Sequence, residues 1–169
     1  MDSAGTLASL FAYKTWANEA LFAKLAEMDV ALHGAEVHSA IRIMNHIHTV
    51  DRIFQANLQN ARHQIEATNT PETPTLGELH AAVCVLDRWY QDYVAELSEA
   101  KLNEAIAFTF TDAQHGRMTR NEMLLHIITH GGYHRGAVGR ILVGIGMSPP
   151  RDTLTVFLHS MEPTRRERS

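Results

Sequence analysis

Apolar residues recur along this chain at the three-to-four-residue spacing of helices that bury one face. Leu7, Leu10, Phe11, Leu21, Phe22, Leu25 and Met28 make such a stripe across residues 4 to 28, and predict a first amphipathic helix. Tyr13 and Trp16 sit off the stripe, either packed at its flank or lining a pocket between helices. His33 and Gly34 mark a break. A second stripe, Ile43, Ile47, Val50, Phe54 and Leu58, predicts a helix from about Ser39 to Arg62. Residues 67 to 74, rich in Thr and Pro, have no apolar period and read as a surface connection. Thr75 with Glu78 has the capping-box spacing and opens a third helix through Leu97, with Leu79, Val83, Leu86, Tyr90 and Val94 on its inner face. Alternation at Ile106, Phe108 and Phe110, then Asp112 to Gly116, predicts a short hairpin or extended loop. Thr119 with Glu122 repeats the capping box and opens a fourth helix reaching Gly146; Pro149-Pro150 stops it, and Asp152 is placed to cap a short last helix through His159. The expected fold is all-α, a four-helix bundle with one domain over residues 1–169.

The candidate chemistry lies on the fourth helix. At roughly 100° per residue, Met123, Ile127, Val138, Ile141 and Ile145 share a sector about 60° wide, with His134 in its middle, His130 at one edge and His126 further round. His130 and His134 stand one turn apart and can converge on one ion. His126 and His134 are about 12 Å apart along the axis and cannot, while the pair His126/His130 is on the poorer face. On the second helix His46 points inward near Val50 and Ile43, and His48 points away with Arg52, Gln55 and Gln59. In a bundle, His46 can meet His130 and His134 across the core. The competing reading is a set of hydrogen-bonded core histidines. His48, like His38, His63, His80, His115 and His159, is expected to be solvated or locally hydrogen-bonded. A glycine flank, Gly132, Gly136 and Gly139 with Leu125 and Val143, calls for close backbone approach by another helix of the bundle or by a dimer mate.

Composition narrows the function. Net charge −4 and a pI near 6.2 exclude a nucleic-acid footprint, the one basic run being Arg165-Arg166-Glu167-Arg168, read as a solvated tail. The opening residues lack the build of a signal peptide and no window is apolar enough to span a bilayer, so a cytoplasmic location off the membrane is expected. Cys84 is the sole cysteine, read as a small buried hydrophobe, so a metal site is expected to rest on nitrogen and oxygen alone.

Three stretches resemble the DinB family of four-helix bundles: Tyr13-Lys14-Thr15-Trp16-Ala17-Asn18; Asn45-His46-Ile47 with Asp51-Arg52-Ile53; and His126, His130 and His134 running into Arg135-Gly136. Tyr133 departs from the pattern, where many relatives carry a histidine. The resemblance implies an up-down-down-up bundle, often a homodimer, holding one divalent ion, commonly nickel or zinc, on residues that fall at His46, His130 and His134. Iron, copper and manganese stay open, since imidazole suits many metals. Three imidazoles leave open positions on an ion, as in catalytic sites. The implied activity is that of a metal-dependent enzyme, either a transferase joining a small thiol to a small-molecule electrophile or a hydrolase. The alternatives are a non-catalytic metal- or ligand-binding stress-response bundle and a purely structural dimer. No general base is named by the sequence; Asp51 is a candidate outer partner of His46, or a surface partner of Arg52 or Arg135.

Overall fold

A computed structural model describes residues 2–165; Arg166, Glu167 and Arg168 of the basic run lie outside them. The chain is mostly helical. Its elements are α1 (Ser3–Ala26), α2 (Val30–Leu58), α3 (Leu76–Ala95), α4 (Glu99–Leu102), β1 (Ala105–Thr109), β2 (His115–Thr119), α5 (Arg120–Gly144) and α6 (Leu154–Met161), followed by a 3₁₀ turn at Pro163–Arg165. None of the described helices is long and apolar enough to cross a membrane.

Both capping boxes form. Thr75 and Thr119 accept from the amides of Glu78 and Glu122, whose carboxylates return to the threonine amides at 3.0 and 2.6 Å. Asp2 caps α1 by accepting from the Gly5 amide.

Helix boundaries differ from expectation at both ends of α2 and at the start of α6. The second helix starts at Val30 instead of Ser39, because Asp29 accepts from the amides of Ala31 and Leu32. Its first turns carry the exposed side chains Val30 and Leu32, so they leave no apolar period to read. The expected break survives as a kink at His33 (φ −125°, ψ 35°). At the other end α2 stops at Leu58, where Asn60 takes the left-handed conformation (φ 52°) that asparagine tolerates. The last helix is capped by Thr153, not Asp152, whose carboxylate is engaged elsewhere.

The hairpin pairs β1 and β2 antiparallel, from Ala105 opposite Thr119 to Thr109 opposite His115. A Cβ on Gly116 would come within 2.7 Å of the Phe108 ring, so the strand needs glycine where the ring lies over it. Just beyond it Arg120 donates to the Leu58 carbonyl at 2.7 Å and to Glu104 at 2.7 Å, joining the hairpin to the end of α2.

Among the long helices, α1 lies against α3 and α5, and α2 against α5 and α3. Two apolar clusters fill the interior, one around Phe11, Phe54, Tyr90 and Ile127, the other around Phe22, Met44, Ile47 and Leu142. Buried polar residues occupy their junction: Lys14 and Asn18 on α1, Asp51 on α2, Asp87 on α3 and Arg135 on α5. Lys14 pairs with Asp87 and, at 3.0 Å, with Asp51. Asn18 donates to Asp87 at 2.8 Å, and Arg135 donates to Asp152 at 2.7 Å. Tyr13 donates to the same Asp152 carboxylate.

Candidate metal centre

The three histidines selected by helical phase converge. His46 comes from α2, His130 and His134 from successive turns of α5, and their donor atoms lie within 4.8 Å of one another. Ring centroids are 5.0 Å apart for His46–His130, 4.6 Å for His46–His134 and 4.5 Å for His130–His134.

Hydrogen bonding sets the protonation of the group. His46 Nδ1 lies 2.7 Å from the carbonyl of Thr68, which can only accept, so Nδ1 carries the hydrogen. In the neutral ring Nε2 is then a bare lone pair. That lone pair sits 3.1 Å from His130 Nε2. Two nitrogens bound at 2.0–2.1 Å to a tetrahedral ion stand about 3.3 Å apart, so the pair has the spacing of two ligands. His130 Nδ1 is buried with no hydrogen-bond partner, so the polar contact of this ring is made through Nε2, the nitrogen that faces His46. Burial, followed by the nearby rings of His134, His46 and His126, pushes the His130 pKa down to about 3; burial and His46 lower that of His134. Both rings are therefore neutral at pH 7, the form in which imidazole ligates. The residues present fit a divalent ion.

His126 stands apart from the group. It stacks on Phe54 at 4.7 Å and on His130 at 5.3 Å, a packing role that orients its neighbour. Asp51 does not join the histidines: it is buried, its partner is Lys14, and burial lifts its carboxyl to about 6 against the pull of that ammonium. The outer contact of His46 comes from Thr68, which sequence reading missed because a loop carbonyl has no side-chain signature. Lys14 was equally silent, although its place in phase with Phe11, Asn18 and Leu21 on a buried stripe is the signal that could have exposed it.

The expectations for His48, Cys84 and His80 change as well. His48 is half-buried, not solvated, and borders a cavity of about 620 Å³ between α2, α3 and the 59–75 connection; burial, then Arg52 and Lys14, push its pKa down to about 4. Cys84 is a hydrogen-bond donor to Glu19, and His80 reaches the same carboxylate across helices. His63 and His159 behave as expected, each bonded within its own segment.

Fold and site together define a mostly helical protein whose long helices bring three histidines into a group able to hold a metal ion. The DinB family model matches residues 1–167, and the chain belongs to that family. Protein DinB of Bacillus subtilis (strain 168) is similar to it, with 24% identity over 169 residues covering 90% of this chain and 95% of that protein.

Proposed function

We propose that this chain is a metal-dependent enzyme that holds one divalent ion, nickel or zinc, on His46, His130 and His134, and works on a small thiol or on water. The observation that carries the reading is the His46–His130 nitrogen pair at 3.1 Å, with the hydrogen of His46 held on the far nitrogen by Thr68. An ion with three imidazole ligands and open positions supplies Lewis acidity, enough to bring a coordinated water to a pKa near 7 or to keep a thiol as thiolate. Each residue has its part. Thr68 orients His46 and fixes its tautomer; burial keeps His130 neutral; His126 and Phe54 hold the His130 ring in plane. The reaction is transfer of the thiol sulfur to an electrophile or hydrolysis. The helices form the up-down-down-up bundle of the family resemblance, in a cytoplasmic homodimer.

Metal content of tag-free protein, measured by mass spectrometry, tests the site. His46→Ala, His130→Ala and His134→Ala each lose about one ion per chain relative to wild type, and the His48→Ala control loses none. Thiol-transfer or hydrolytic activity disappears in the same three variants. Unchanged metal content in those three ends the proposal.

A further inference from the structure

A second convergence of donor atoms lies on the other helix pair. Glu19 on α1 meets His80 and Cys84 on α3, and one donor atom from each falls within 4.8 Å of the others. Cys84 Sγ donates to Glu19 Oε1 at 3.0 Å, and His80 Nε2 lies 3.0 Å from Glu19 Oε2. The His80 ring stacks on Phe22 with centroids 4.7 Å apart and an interplanar angle of 19°, which fixes its plane. The layout repeats that of the three histidines: two donors one turn apart on one helix, and a third from the helix packed against it.

Such a trio has two possible chemical uses, and the geometry separates them. A nucleophilic cysteine needs a base that takes its proton. Here the thiol donates to Glu19, and His80 Nε2 is directed at that same carboxylate instead of at the sulfur, so the Cys–His pair of a nucleophilic site is not formed. The hydrogen bond from Cys84 in turn helps hold Glu19 below the usual carboxylate range. A divalent cation fits the same atoms well: one carboxylate and one thiolate balance its two charges, and imidazole adds a neutral donor. Sulfur and nitrogen donors together favour zinc over magnesium or calcium.

We propose that Glu19, His80 and Cys84 form a second, mixed-donor site for a zinc-class divalent cation, which ties α1 to α3. On loading, the Cys84 S–H bond breaks, a sulfur–metal bond forms and the proton leaves to solvent. Glu19 and His80 donate lone pairs, the His80 ring hydrogen passing from Nε2 to Nδ1, and no atom changes oxidation state. Because a thiolate is among its ligands, this site departs from the expectation that a metal here would rest on nitrogen and oxygen alone. It is independent of the α2–α5 histidines in residues and in helices.

Cobalt(II) titration of the metal-free full chain distinguishes the two sites, since thiolate ligation adds a charge-transfer absorption in the near ultraviolet that imidazole ligation lacks. Wild type shows this band, Cys84→Ser does not, and a His46→Ala/His130→Ala/His134→Ala variant retains it. Glu19→Gln and His80→Ala each weaken cobalt binding in the band by at least about tenfold, and zinc abolishes it by displacement. With His80 and Glu19 side chains 39% and 51% exposed, these variants keep the wild-type helical circular dichroism. The proposal is overturned if wild type lacks the band at saturating cobalt. It is equally overturned if the band survives in Glu19→Gln and His80→Ala with unchanged affinity, for then a bare thiol is capturing an adventitious ion only.

Discussion

One proton on His46 decides what its ring can do. Held on Nδ1 by the Thr68 carbonyl, it leaves Nε2 free to face His130, and the other tautomer, with the hydrogen on Nε2, would turn the two rings into a hydrogen-bonded pair. A second residue-scale feature is Lys14, 1% exposed between Asp51 and Asp87. Burial opposes its charge, yet the two carboxylates together raise its pKa. Lys14→Met therefore leaves two buried acids facing each other, and urea unfolding at pH 7 is expected to show a loss of about 3–5 kcal/mol. A loss under about 1 kcal/mol contradicts the pairing. His48 contributes a pH dependence. Its pKa falls from 6.5 to about 4 on folding, so between those values the unfolded chain binds a proton that the folded chain refuses. Stability accordingly falls as pH drops from 6.5 toward 4, and His48→Gln makes that decline shallower in metal-free protein. Equal slopes for the two proteins across that window would rule His48 out as a source.

At the scale of elements, the 59–75 connection matters more than its irregular backbone suggests. Asn69 donates to the Arg42 carbonyl at 3.0 Å and accepts from Asn45, while Thr70 accepts from Asn45 at 2.6 Å. These bonds pin the loop to α2, one residue away from the carbonyl that orients His46. Asn69→Ala is expected to weaken metal affinity about 10–100-fold while leaving helical content unchanged. Isothermal titration with zinc checks this, and an affinity equal to wild type would mean that the Thr68 carbonyl is held by other contacts. Capping explains where the long helices start. Side-chain acceptors at Asp29, Thr75 and Thr119 satisfy first-turn amides, and the left-handed Asn60 follows the end of α2.

At the scale of the molecule, the donor clusters divide between two helix pairs, and the charged layer of Lys14, Asp51, Asp87 and Arg135 joins all four long helices. The glycine flank of α5 is only partly covered from within. A Cβ at Gly139 would touch Pro149 at 3.5 Å, whereas one at Gly136 would meet nothing within 4 Å, and Val143 beside it is 45% exposed. A helix gives up about 1 kcal/mol at each interior glycine, a cost offset when a second chain packs closely there. Gly136→Leu is expected to convert the proposed homodimer to single chains of unchanged circular dichroism, as read by light scattering. A dimer that survives the substitution places the interface elsewhere.

Sequence alone determined the helical class, both threonine capping boxes and the phase that selects His46, His130 and His134; it allowed either a hairpin or an extended loop over residues 106 to 119. These rest on period and on contacts within four residues, where a helix's geometry follows from the chain itself. Periodicity could not register the start of α2, because its first turns bury nothing. Nor could it reveal that Lys14, Asp51 and Asp87 meet, that a Thr68 carbonyl sets a tautomer, that Asp152 serves Arg135 and Tyr13 instead of capping α6, or that Cys84 and His80 share Glu19. Each of those depends on which helices become neighbours. That choice is made when apolar faces from distant parts of the chain are buried together and the polar groups carried in with them must find partners.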